Sequence, residues 1–198
     1  RNDAHVVLDP TLLLNASDYD EIIVKDKSLD VHDITSNERV VLESGKYILV
    51  YSLNSSTKIY TESAKLAKKR NLPLVVIKRS FCPPKVKEAL ATLFCIGPSE
   101  FIWLIKNAAL VVTNSFHALV FSINLNTPFI PYLKKSDNVN SRLESILNIV
   151  GLDDHIVYES DGAISWPLSF DWTNSNLRLE QERKSSMSLL KNTLKTNS

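Results

Sequence analysis

The sequence predicts an α/β protein, a Rossmann-like parallel sheet with helices on both faces. Three observations predict it. Short runs rich in β-branched residues begin near residues 47, 73, 109, 128 and 154, and helical patterns alternate with them. The central run, Ala109-Leu-Val-Val-Thr113, is apolar almost throughout, as suits a strand covered on both sides. Asn114 and Ser115, two residues that favour helix caps, follow it at once, so a strand gives way directly to a helix.

Each element has its local reason. His5-Val-Val-Leu8 is a short strand candidate, and Ser17 starts a short helix in a polar stretch. Lys25–Ser44 shows no firm period and reads as loop. Tyr47–Ser52 is a strand, and the hydroxyls of the turn after it cap a helix over 57–70. That helix turns Ile59, Ala64, Leu66 and Ala67 inward, and Asn71 ends it. Pro73–Ile77 is the next strand, with Lys78 and Arg79 at its carboxyl end. Residues 80–96 are ambiguous, because 86–94 suits a helix and 92–96 a short strand.

Gly97, Pro98 and Ser99 then punctuate a helix start, with Glu100 near the positive end of its dipole. Phe101, Leu104, Ile105 and Ala108 form its buried face. The helix opened at Ser115 carries His117 in its first turn and ends near 124–126. Thr127–Pro131 is a strand with proline at its ends. Ser141 and Glu144 form a capping-box pair before Leu143, Ile146, Leu147 and Val150, and Gly151 stops that helix. His155–Tyr158 is a further strand. Asn174 caps a long polar helix to about 195, with Leu177, Met187, Leu190 and Leu194 as its thin apolar stripe.

Composition narrows the function. A 44% hydrophobic, 23% charged chain of 198 residues is enough for one sizeable globular core. A net charge of +1 gives no reason to expect bulk binding to nucleic acid or membrane. Cys82 and Cys95 have neither metal spacing nor a disulfide framework, and they fit a reducing compartment. No apolar run is long enough to cross a bilayer, and no signal peptide is seen. The four glycines form no G-x-G-x-x-G or Walker loop, which argues against a dinucleotide or P-loop enzyme. The chain opens Arg1-Asn-Asp-Ala with no Met, and it reads as a fragment.

The segments Gly97–Ile102, Asn107-Ala108, Val111-Val-Thr-Asn-Ser-Phe-His-Ala118, Phe121-Ser-Ile123 and Asn126–Ile130 occur in order, preceded by Val7-Leu-Asp-Pro-Thr11. This pattern resembles the polysaccharide pyruvyl transferase family. Asn114 stands where Asp is commoner, Ala118 where many relatives have Gly, and Ser115 where some branches have Arg. The resemblance implies the C-terminal half of a two-domain, glycosyltransferase-B-like fold. On that reading 1–45 is a linker or the end of a missing N-terminal domain, 46–160 binds donor, and 161–198 packs back toward the missing domain. It implies pyruvyl transfer from phosphoenolpyruvate, with no cofactor, to a glycan or lipid-linked sugar of a cell-surface polysaccharide or exopolysaccharide. It implies a cytoplasmic place, or a peripheral one at the inner face of the membrane.

His117 is the candidate catalytic residue, because strand ends and helix starts in open α/β sheets collect anionic ligands. The plain alternative is a histidine that packs beside Phe116 and bonds a carbonyl. Asn114, Ser115 and Phe116 are candidate donor contacts, with capping and packing as their simpler roles. Arg142 lies in a first helical turn, where a cation opposes the dipole, so it either reaches into the anion site or turns to solvent. Lys78, Arg79, Lys134 and Lys135 lie at a similar height. Trp166 and Trp172 either stack on a sugar or pack a loop over the sheet. Two other readings stay open: a nucleotide-sugar transferase, for which Glu100 is the nearest ribose-binding carboxylate, and a non-catalytic relative.

Overall fold

The computed structural model describes residues 5–23, 25–53, 56–78, 86, 88–135, 140–167 and 169–195. Helix α1 (Pro10–Leu13) precedes a hairpin of β1 (Ser28–Asp33) and β2 (Glu38–Glu43). The alternating part is β3 (Ile48–Tyr51), α2 (Lys58–Arg70), β4 (Leu74–Lys78), β5 (Ala89–Phe94), α3 (Pro98–Lys106), β6 (Leu110–Thr113), α4 (Phe116–Asn124) and β7 (Phe129–Leu133). It closes with α5 (Asn140–Val150), β8 (Val157–Tyr158) and α6 (Trp172–Lys195).

Among the described residues the main sheet has six parallel strands in the order β5-β4-β3-β6-β7-β8. Its strands alternate between two apolar layers. Leu49, Val75, Ile77 and Val111 face α3 and α4, while Ile48, Val50, Val76 and Val112 face α2. Both faces are thus covered, which is why these strands carry apolar residues in succession rather than alternately. The Rossmann-like sheet with helices on both faces is the architecture expected from the sequence.

Several local readings are corrected. Residues 28–43 form a hairpin, not a loop. Its inner side is Leu29, Val31, Asp33 and Leu42, so an acid stands at one buried position, while Val41 points to solvent. The period-two signal is broken at both places. Ile34 N donates to Thr92 O, and Thr92 N donates to Asp33 Oδ1 at 2.7 Å, so the hairpin tip shields the edge strand β5. Residues 89–94 are strand, which rejects the helix over 86–94. The segment 5–8 has no regular structure and pairs with no strand among the described residues.

Helix α6 buries a face other than its apolar stripe. Ser175, Leu179 and Ser186 are buried, whereas Leu177, Met187, Leu190 and Leu194 are exposed. Ser186 Oγ accepts from Leu8 N at 3.0 Å, which ties this face to the segment before α1. Arg183 on that same face donates to Leu12 O (2.6 Å), Leu14 O (3.0 Å) and Asn124 Oδ1 (2.7 Å). The helix also begins at Trp172, and Asp171 rather than Asn174 acts as its cap, accepting from Asn174 N at 3.1 Å.

Candidate functional site

The strand order sets the place of the site. From β3 the chain moves outward through β4 to β5, then returns to the other side of β3 as β6 and continues to β7 and β8. The order therefore reverses between β3 and β6. A crevice opens at the carboxyl ends of two such strands because the loops leaving them run to opposite faces of the sheet.

Residues 113–115 stitch that crevice together. Thr113 Oγ1 donates to Tyr51 O at 2.6 Å and accepts from Ser115 N at 3.0 Å. Asn114 Oδ1 accepts from Leu53 N at 2.7 Å, and its Nδ2 donates to Ser52 Oγ at 3.0 Å. Ser115 caps α4, its Oγ accepting weakly from Ala118 N at 3.5 Å. Asn114 and Ser115 thus hold the ends of β3 and β6 and the start of α4 in register. Among the described residues the amides of Phe116 and His117 have no partner in the protein, as the first turn of a helix requires unless a ligand supplies one.

His117 is exposed and lines an open groove of about 680 Å³ over this crevice. The groove's walls include Tyr51, Phe101 and Phe121 on one side and Cys95, Ile96 and Gly97 on another. Lys78, the last residue of β4, lines it too. The residue is only 7% exposed, and its Nζ sits 4.0 Å from the centre of the Tyr60 ring. Among the described residues no carboxylate pairs with it. Burial without a counter-ion pulls its ammonium down from the ordinary lysine value. A cation placed this way favours an anion that brings its own charge.

A second hollow of about 380 Å³ adjoins the first on the far side of Phe116. Arg142 lies here, its guanidinium 4.1 Å from the centre of the Phe116 ring and 3.9 Å from Asp9 Oδ2. Asp9 caps α1, accepting from Thr11 N at 3.0 Å and Thr11 Oγ1 at 2.7 Å. Burial pushes the Asp9 carboxyl up, but the Thr11 hydrogen bonds and the charges of His117 and Arg142 hold it below the usual carboxylate value. Asp9 is a residue sequence reasoning did not single out. Its Asp-Pro-Thr pattern is a helix-start signal, and only the fold brings it beside residues 117 and 142.

The other candidates lie elsewhere. Lys134 is exposed, its carbonyl accepts from Asn140 Nδ2 at 2.8 Å, and it lines neither hollow. Lys135 pairs with Asp161 at 3.7 Å and lies over the Tyr158 ring. Arg79 lies outside the described residues. Trp166 packs beneath Arg70, and Trp172 stacks on Phe170, which in turn stacks on His155, so both rings serve packing. The Glu100 carboxylate folds back over Gly97 at the start of its own helix. Among the described residues no group of three His, Cys, Asp or Glu side chains is placed to hold a metal.

A comparison with solved structures finds similarity to the "Glycotransferase of kitacinnamycin", with a TM-score of 0.46 and 12% identity over 72% of this chain. The chain spans 39% of the length of that structure. A comparison with curated proteins finds no match. A family model described as polysaccharide pyruvyl transferase matches residues 1–133, which carry the crevice, His117, Lys78 and Asp9. That match covers more than half of the chain, and the chain belongs to the polysaccharide pyruvyl transferase family.

Proposed function

We propose that the groove binds phosphoenolpyruvate and serves transfer of its pyruvyl group to a hexose diol on a cell-surface polysaccharide or its precursor. The observation that carries this reading is the pairing, in one groove, of an exposed imidazole at a helix start with a buried lysine that has no counter-ion among the described residues. A small donor with an anion at each end matches that arrangement.

The chemistry makes three demands. The C3 methylene of the enol takes up a proton, a sugar hydroxyl adds to C2 and loses its own proton, and phosphate departs. A second hydroxyl then closes the cyclic ketal. Fixed positive potential is needed at both anionic ends of the donor throughout. The α4 amides and Lys78 supply it, and His117 either delivers the proton or binds a donor oxygen. This reading places catalysis between the chain and a second α/β domain that carries the sugar. The chain by itself then binds donor weakly and turns nothing over. A cytoplasmic place, where phosphoenolpyruvate is made, belongs to the same reading. Among the described residues no helix is long and apolar enough to cross a membrane.

Calorimetry with phosphoenolpyruvate and with a panel of nucleotide sugars tests the reading. Binding of phosphoenolpyruvate, lost in His117→Ala, is the expected result. Binding of a nucleotide sugar in its place would favour the glycosyltransferase alternative and sink the proposal.

A further inference from the structure

Resting on that donor, we infer its direction in the groove: Lys78, seated on the face of Tyr60, grips the carboxylate, and the phosphoryl group lies on the α4 amides beside His117. Lys78 leaves the end of β4 and His117 follows the end of β6, with β3 between them. Two strand spacings, about 9.6 Å, separate the ends of those two strands. Both residues line the same groove, one near each end of that step across the sheet, as a small molecule with two anionic ends requires.

Charge and burial decide which end goes where. Lys78 is 7% exposed and is the one cation at its end of the groove among the described residues. One ammonium neutralises one carboxylate. A phosphoryl dianion there would leave a net charge in a buried site, which is costly. The α4 start carries the exposed His117, offers two amides and an imidazole, and suits a dianion that must depart as phosphate. The carboxylate stays with the pyruvyl unit, so its holder can be buried.

Tyr60 is the positioning residue. Its ring lies under the ammonium, and its hydroxyl bonds Ser52, whose Oγ accepts from Asn114 Nδ2. Lys78 is thereby referenced to the same β3–β6 crevice that fixes His117. The aromatic face holds the ammonium without neutralising it, which a carboxylate would do.

The test is calorimetry on the full chain with three probes: phosphoenolpyruvate, pyruvate and inorganic phosphate. Lys78→Met should raise Kd for phosphoenolpyruvate and pyruvate about tenfold or more, the scale of one charge-assisted contact, and leave phosphate within about twofold. His117→Ala should weaken phosphate and phosphoenolpyruvate but not pyruvate. Tyr60→Leu should follow Lys78→Met, and Tyr60→Phe, which keeps the ring, should rescue most of the loss. Lys78→Gln repeats the measurement should the Met variant fail to fold. Weakened phosphate with unchanged pyruvate in Lys78→Met would reverse the direction and overturn the inference. Unchanged phosphoenolpyruvate binding in both Lys78 variants would remove Lys78 from the site while leaving the donor itself standing. No phosphoenolpyruvate binding by the unaltered chain would overturn the donor and this inference together.

Discussion

Arg183 offers the sharpest test of how the site's supports are held. Its side chain is 12% exposed, and it donates three short bonds to neutral oxygens on two other helices. Consider Arg183→Met, which keeps the aliphatic stem and removes the fork. A hydrogen bond to a charged group contributes about 1.5–3 kcal/mol, so three would sum to more than 4 kcal/mol if they were independent. They are not. Leu14 O keeps a bond from Asn124 Nδ2 at 3.1 Å, while Leu12 O and Asn124 Oδ1 lose the partners described here. Two stranded acceptors at about 1–3 kcal/mol each, less the gain from no longer burying a guanidinium, leave a loss of about 3 kcal/mol. Urea unfolding followed by tryptophan fluorescence reads it as a lower midpoint at unchanged slope. Arg183→Lys keeps the charge but reaches fewer oxygens, and should fall between the two. Backbone amides of 12–14 should exchange faster first, because the clamp joins that turn to α4 and α6. A loss below about 1 kcal/mol would refute the reasoning, since it would mean these bonds do no more than exposed ones.

Three further outcomes follow from single residues. Asp33 accepts from Ser36 Oγ (2.6 Å), Thr92 N (2.7 Å), Thr35 Oγ1 (2.8 Å) and Ser36 N (2.8 Å). Burial raises its pKa, but these bonds outweigh it and depress the carboxyl far below its ordinary value. A depressed folded pKa gives stability that is present above about pH 4 and is lost as pH falls toward the folded value. Asp33→Asn should therefore cost about 2–3 kcal/mol at pH 7, and the gap should narrow by about 1 kcal/mol at pH 3. Urea titrations at the two pH values check it, and an equal gap at both would contradict it. Gly151→Ala places a methyl at φ +71°, with its Cβ 2.8 Å from Arg178 Nη1. The exposed guanidinium can swing away, so the cost should be the left-handed strain alone, about 1–2 kcal/mol by thermal melt. Arg142→Ala should change phosphoenolpyruvate affinity by less than about threefold, because Arg142 sits across Phe116 from the groove and faces Asp9. Calorimetry reads this, and a loss like that of Lys78→Met would place the donor in the second hollow instead.

What the sequence made legible, and what it hid, divides along one physical line. Patterns internal to one segment were readable. The β-branched run before Thr113, the cap at Ser115 and the buried face of α5 each depend on residues a few places apart. Relations between segments were not. The hairpin over 28–43 was hidden because its edge against β5 is made by a carboxylate, not a methyl group, so hydrophobic period could not report it. The buried face of α6 was hidden because it carries polar residues, Ser175, Arg183 and Ser186, the last accepting from Leu8 N at 3.0 Å, while larger apolar residues stay in water. Lys78 and Tyr60 are each ordinary in sequence, a lysine at a strand end and a tyrosine on a helix. They meet only because α2 crosses back over the sheet and sets the ring beneath the ammonium. The same holds for Asp9, which the clamp at Arg183 helps to place by fixing the turn that follows it. His117 could be singled out early because its position needs only a strand end and a helix start. The cation that answers it across the crevice needs the strand order, and strand order is a property of the whole sheet. A search for anion sites in such chains should therefore begin at the reversal of strand order and ask which buried cations lack an acid, before asking which exposed ones cluster in sequence.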